Sequence, residues 1–298
     1  MRIVSLLASG TELVCELGAG RRLVGRSHEC QRPHWVRDLP AVTAPTFPTD
    51  GSSEAIDAEV KRRVQAGEPL YRVDRALLEQ LEPDLLITQE HCRVCAVSPA
   101  DLEKGGPPPP GATAVTLEAQ DLPAIFRGFR SVAAALGMPE AGDRLLAGYR
   151  RRLERLGGTG EGPTLLVIDW VRPLFLAGNW VPQLVFHAGA RPVGMEEGSR
   201  AGQASWAQVR RLDPDWIVVA PCGYGLERTR REVPLLEQYP GWKELRAVRA
   251  GRVALADGDR YFNRSGPSVV ETAEILHEIL WGGHRFRGEA WEPSPGAA

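Results

Sequence analysis

Two stretches of the chain repeat one pattern of apolar and polar positions. Leu81-Glu82-Pro83-Asp84-Leu85-Leu86-Ile87-Thr88 returns as Leu212-Asp213-Pro214-Asp215-Trp216-Ile217-Val218-Val219. Each copy closes a helical segment at Pro-Asp, since proline disfavours helical backbone in the residue before it. Each then opens a short apolar strand that runs into a loop holding cysteine, Cys92 and Cys95 after the first and Cys222 after the second. An internal echo of one supersecondary unit predicts two similar lobes.

The rest of the pattern fills in those lobes. Residues 2–7 read as a strand, followed by a helix to 17 that Ser9 or Thr11 caps and that Gly18 and Gly20 end. A strand over 23–26, a loop over 40–53, helices over 57–66 and 74–81 and a strand over 113–117 complete the first lobe. From 122 to 156, Ile125, Phe129, Val132, Ala133, Leu136, Leu145, Leu146, Tyr149 and Leu153 keep helical spacing. Gly137-Met138-Pro139 interrupts it, giving two helical pieces or one kinked helix. The continuous apolar run at 164–170 suits a buried parallel strand. Helices over 182–188, 205–212 and 268–281, a strand over 253–255 and a frayed polar tail from 282 follow. Alternating strands and helices predict an α/β fold with a parallel sheet in each lobe. The expected division is an N-terminal lobe at 1–120, a bridging helix at 121–157 and a C-terminal lobe at 158–298. In such sheets ligands bind beyond the carboxyl ends of the strands. A cleft between the two sets of loops is therefore the expected site.

Composition narrows the function classes. The 298 residues are 43% hydrophobic and 25% charged with a net charge of -2, ordinary for a globular protein and without a field that steers toward nucleic acid. No stretch reaches the ~18–20 apolar residues that cross a bilayer. The apolar start is only a few residues long and is broken by Gly10, Thr11 and Glu12, so it reads as a strand and not a signal peptide. That predicts a cytoplasmic protein, or a periplasmic one if a leader was trimmed. Five cysteines, an odd number, do not make a disulfide framework.

Candidate chemistry gathers after the strands. His28, Cys30, His91, Cys92, Cys95 and Cys222 all fall at that rim, a set suited to zinc or another transition metal, or to thiol chemistry. The alternative is cysteine as a small hydrophobe in packed loops, the expected role of Cys15 in the first helix. Trp170, Trp180, Trp206, Tyr224, Tyr261 and Phe262 either stack on a planar ligand or cover helix ends. In Asn263-Arg264-Ser265-Gly266-Pro267-Ser268, a helix start beside Arg264 suits anionic or amide groups, while Ser265 or Ser268 could instead cap the helix. No nucleophile elbow, phosphate loop or dinucleotide fingerprint is present. Gly18-Ala19-Gly20 lacks a third glycine and ends a helix rather than opening one.

On Ile3-Val4-Ser5-Leu6-Leu7 with Thr11-Glu12-Leu13, the repeated Pro-Asp strands, the helical stretch between them and Tyr261-Phe262-Asn263-Arg264-Ser265-Gly266-Pro267, the chain resembles a known family. These are the helical-backbone substrate-binding proteins of cobalamin and iron-siderophore ABC importers. The resemblance spans roughly residues 2–280. Ser27-His28-Glu29-Cys30 and Cys92-Arg93-Val94-Cys95-Ala96-Val97-Ser98 resemble its cobalamin-binding branch. It implies two Rossmann-like lobes joined by a long helix, a binding protein and not an enzyme, and cobalamin or another corrinoid as ligand. His28, His91 or a cysteine would then be available as an axial cobalt ligand. Ligand-binding candidates are Ser9, Glu29, Cys30, His91, Cys92, Trp170, Trp180, Cys222, Tyr224, Tyr261 and Arg264. The rival from another class is a zinc-binding or thiol-dependent protein using Cys30, Cys92, Cys95 and Cys222 on the same scaffold. A cytosolic corrinoid carrier is a third reading. Importer-docked members carry an acidic residue on each lobe. Here Ala76 and Ala207 fall at about those positions, with Asp74 near the first and nothing acidic close to the second. Docking on an ABC permease is therefore expected to depart from the usual pattern.

Overall fold

The computed structural model describes residues 1–90, 97 and 109–295. It divides into two compact units, Met1–Ala119 with Pro123–Gly148, and Gln120–Leu122 with the chain from Tyr149 onward.

The first unit is built on four parallel strands, β1 (Ile3–Ser5), β2 (Leu23–Arg26), β5 (Leu85–Gln89) and β6 (Thr113–Leu117), in the order β2-β1-β5-β6. The residues of β1 and β5 are all buried, as expected for central strands covered on both faces. Two short strands, β3 (Thr43–Pro45) and β4 (Tyr71–Val73), pair antiparallel inside segments that carry no strand pattern. The helices are α1 (Ala8–Glu16), α2 (Ser53–Ala66), α3 (Arg75–Gln80) and α4 (Leu122–Ala135), and α5 (Pro139–Arg155) begins in this unit and ends in the second. Helix α2 starts four residues before its apolar pattern because Ser52 accepts from the N–H of Ala55. Asp74 caps α3 in the same way, on Leu77, so its carboxylate serves the helix. The helical stretch at 122–156 is in two pieces. Gly137 turns left-handed at φ 71°, which lets the chain reverse. Gly142 then lies so close to α4 that a Cβ there would sit 2.5 Å from that of Ala133.

The second unit carries β7 (Thr164–Trp170), β8 (Phe175–Leu176), β9 (Arg191–Pro192), β10 (Gly202–Gln203), β11 (Trp216–Val219), β12 (Val253–Ala256) and β13 (Trp291–Pro293). The order is β10-β8-β7-β11-β12-β13, with β9 also paired to β7. The centre β7-β11-β12 is parallel, while β8, β10 and β13 run antiparallel at the edges. Its helices are α6 (Val181–His187), α7 (Trp206–Leu212), α8 (Leu226–Glu237), α9 (Arg246–Arg249) and α10 (Ser268–Trp281). Leu166, Ile168, Val209, Ile217, Val219 and Leu255 form the heart of its core. The expectation of a frayed tail is corrected. Residues 291–293 close the sheet as β13, because Glu278 on α10 gathers the preceding backbone N–H groups.

The sequence echo is also a structural echo. Glu82 and Asp213 both sit at positive φ, 41° and 36°, where the chain leaves its helix. Two residues on, Asp84 accepts from the backbone N–H of Arg2 at 2.6 Å and Asp215 from that of Thr164 at 2.9 Å. Each carboxylate thereby pins the start of the neighbouring parallel strand, β1 or β7, and sets its register. Asp215 also accepts from the Thr164 hydroxyl at 2.7 Å and pairs with Arg246 at 2.9 Å. The Thr164 bonds, foremost, hold its pKa below the usual carboxylate range. Asp215→Ala is expected to lower the unfolding free energy by about 2 kcal/mol, since it orphans the donors at the head of β7. Because the native pKa is depressed, that contribution is present above the unfolded carboxylate pKa and fades as pH falls toward the native value. Urea unfolding of both proteins at pH 7 and at acid pH checks this, and an unchanged midpoint at pH 7 would refute it.

Candidate functional site

In each unit the chemistry-bearing loops follow the carboxyl ends of the parallel strands. In the first unit these are the turn into α1 after β1 and Ser27-His28-Glu29-Cys30 after β2. His91, Cys92 and Cys95, which follow β5 in the sequence, fall outside the described residues.

Ser9 lies in the first turn of α1 and is buried. Cys30 is fully buried, and its Sγ accepts from the Thr11 hydroxyl at 3.0 Å. His28 is held by Thr43, whose Oγ1 is 2.7 Å from Nδ1, and its ring leans on Tyr71 at 5.4 Å. Burial, then the nearby Arg26 charge, pushes the His28 pKa down to about 4, so the imidazole is neutral at physiological pH. Glu29 keeps partial exposure. Cys15, expected in the core, is only half-buried; burial first and then the Glu12 charge push its thiol up to about 11, which makes it a poor nucleophile. It lines a surface recess with Trp35 and Pro33, at the end of α1 remote from the strand carboxyl ends. A second recess, between Phe47 and Arg63, also contains none of the expected site residues.

In the second unit the rim joins the ends of β7, β11 and β12. Trp170, the last residue of β7, packs its ring on Tyr224 with centroids 5.1 Å apart. The Arg228 guanidinium lies 3.7 Å above the same Tyr224 ring. The result is a tier of indole, phenol and guanidinium, stabilised by ring packing and cation–π attraction. Desolvation pushes the Tyr224 hydroxyl up to about 12 against the pull of Arg228, so it stays protonated. Of these groups, Trp170, Arg228 and Cys222 keep partial exposure.

Asp169, just before Trp170, accepts from the Asn263 amide at 2.6 Å, and its carbonyl accepts from the Cys222 N–H at 2.9 Å. The three strand ends are thus knotted together. Burial pushes Asp169 up to about 6, opposed by the Asn263 bond. The sequence reading passed over Asp169 as part of a strand. The available signal was a lone acid at the end of an otherwise apolar run. Arg228 had no signal, because its role comes from where α8 begins.

Other expected residues are buried. Arg264 is 7% exposed and donates to Asp259, from Nε to the carbonyl and from an Nη to the carboxylate, both at 2.6 Å. Tyr261 is 2% exposed and meets Phe286 edge-on. Trp180 is 4% exposed at the start of α6. Neither Ser265 nor Ser268 caps α10 through its side chain. Among the described residues no three His, Cys, Asp or Glu side chains gather to hold a metal ion, so the zinc expectation gains no support there.

A protein-family profile described as periplasmic binding protein matches residues 3–259. The ABC transporter substrate-binding lipoprotein YvrC of Bacillus subtilis (strain 168) is 24% identical over 294 residues, covering 94% of this chain and 80% of that protein. A periplasmic haem-binding protein from Pseudomonas aeruginosa superposes with a TM-score of 0.67 at 23% identity, over 95% of this chain and 94% of the other. The periplasmic vitamin B12-binding protein BtuF of Vibrio cholerae does so with a TM-score of 0.66 at 19% identity, over 94% and 96%. At these identities the superpositions establish the fold. The expected cytoplasmic location, drawn from reading the first residues as a strand, is corrected. The matching family is periplasmic and the Bacillus relative is a lipoprotein, both extracytoplasmic settings.

Proposed function

The chain belongs to the periplasmic binding protein family, and on that footing we propose that it delivers a large planar tetrapyrrole, foremost a corrinoid, to an ABC permease. It is a substrate-binding protein and not an enzyme. The observation that carries the ligand reading is the tier of Trp170, Tyr224 and Arg228 at the carboxyl ends of β7 and β11. The half-exposed Trp170 ring, backed by the buried Tyr224, gives the rim an apolar face, which suits a broad conjugated ring better than a compact sugar or amino acid. Solved proteins of the same fold are described as binding haem or vitamin B12. Cys222, on the loop after β11, supplies a soft group at the same rim. The permease contact would have to do without the usual acids, since Asp74 is engaged as a helix cap and α7 carries Arg210 and Arg211 around Ala207.

Isothermal titration of the purified protein with cyanocobalamin, haemin and a ferric hydroxamate siderophore tests this. Saturable one-to-one binding of a tetrapyrrole with a Kd of about 1 μM or tighter is expected. Trp170→Ala should weaken it roughly tenfold, from loss of about 1 kcal/mol or more of ring packing. Binding of the siderophore alone, or of none of the three, would refute the proposal.

A further inference from the structure

Asp169 burdens the fold more than it helps it. Other carboxylates in this chain are matched by their surroundings. Asp215 accepts from Thr164 twice and pairs with Arg246, and Glu278 meets three backbone N–H groups and an indole. Asp169 has one donor, the Asn263 amide, and no ion pair among the described residues. Only that bond and desolvation act on its ionisation, so no cation offsets its charge. The Arg228 guanidinium lies over the Tyr224 ring. An asparagine at 169 could accept the same hydrogen bond without burying a charge. An uncompensated carboxylate of this kind marks a functional site more often than a structural one.

Its place says what it does. Asp169 precedes Trp170 in β7, its backbone carbonyl holds the Cys222 N–H and its carboxylate holds Asn263, so the group sits where the ends of β7, β11 and β12 meet. Among the described residues Oδ1 takes the Asn263 bond while Oδ2 meets no donor. The residue keeps partial exposure while its carboxyl is strongly desolvated, and that oxygen is left for a ligand.

We propose that Asp169 determines specificity at this rim, its open carboxylate oxygen accepting from an N–H or O–H on the ligand edge. It thereby favours a tetrapyrrole bordered by amides over one bordered by carboxylates. The inference rests on the tetrapyrrole reading and narrows it. A charge-assisted hydrogen bond to an amide is strong where water is partly excluded. A ligand carboxylate at the same spot would face like charge with no cation between.

The test compares cyanocobalamin, whose edge carries amides, with haemin, whose edge carries two propionates. Each is titrated at pH 7.5 into the full chain, Asp169→Asn and Asp169→Leu. The wild type should prefer cyanocobalamin. Asp169→Asn should shift the ratio of the two dissociation constants at least tenfold toward haemin, because its amide can donate to a carboxylate. Asp169→Leu should weaken cyanocobalamin without that gain for haemin. Thermal midpoints at or above wild type in the Asn variant would show that the fold does not need the charge. An unmoved ratio, or equal weakening of both ligands, overturns the proposal and leaves the tetrapyrrole reading standing. Wild-type protein that binds neither ligand overturns both.

Discussion

Replacing Glu278 with alanine is expected to lower the unfolding free energy by about 3–5 kcal/mol. The side chain, 8% exposed on α10, accepts from the backbone N–H groups of Arg285, Phe286 and Arg287 at 3.0–3.2 Å and from the Trp291 indole at 2.9 Å. Truncation leaves four buried or half-buried donors without their acceptor, and each orphaned donor costs on the order of 1 kcal/mol or more. It also frees the segment that returns the chain to β12, so β13 should detach from the sheet edge. Glu278→Gln keeps one acceptor oxygen and should lose roughly half as much. Urea unfolding measures the loss, and limited proteolysis should show new cleavage after residue 282. A loss under about 1 kcal/mol with an intact tail would show that the carboxylate does not anchor the segment.

A methyl group at Gly258 should damage fold and site together. A Cβ there would lie 2.2 Å from the Pro221 carbonyl oxygen and 2.8 Å from both the Ala220 carbonyl and Asn263 Oδ1. Two of these atoms are backbone, so they cannot swing aside as a flexible side chain would. Gly258→Ala must push the turn after β12 away from the loop after β11. That strains the Asp259 N–H bond to the Tyr224 carbonyl at 3.1 Å and the Asn263 bond to Asp169 at 2.6 Å. Overpacking of this kind costs about 3 kcal/mol or somewhat more. Because the displaced groups carry the rim, ligand affinity should fall at least tenfold even where the variant remains folded. Thermal melting and calorimetric titration separate the two effects. A variant with wild-type melting and wild-type affinity would mean that the loops tolerate separation.

What was legible in the sequence was local or periodic. The Pro-Asp echo fixed both central strands, and it also carried the positive φ of Glu82 and Asp213 and the strand-pinning roles of Asp84 and Asp215. Apolar runs gave β7, β11 and β12, and helical spacing placed α10 at its observed ends. The site was legible only as a rim. Tyr224, Trp170 and Cys222 fall where a residue after a parallel strand must fall. Their pairing depends on contacts the pattern does not encode: Asn263 reaches Asp169 across 94 positions, and Arg228 reaches Tyr224 by the angle at which α8 leaves its loop. For the same reason the sequence did not show that Arg264 bonds to Asp259 or that Tyr261 meets Phe286. The tail was misread because polar, proline-rich composition hides the single buried acid that orders it.

The account's central claim is that ligand is held at the strand carboxyl ends. Hydrogen–deuterium exchange of the protein with and without cyanocobalamin or haemin tests it most directly. The amides of 220–225 and 257–264 should slow on binding, while those of α2 and of the Cys15–Trp35 recess should exchange as before. Protection confined to either of those recesses, or no protection under saturating ligand, would contradict the claim.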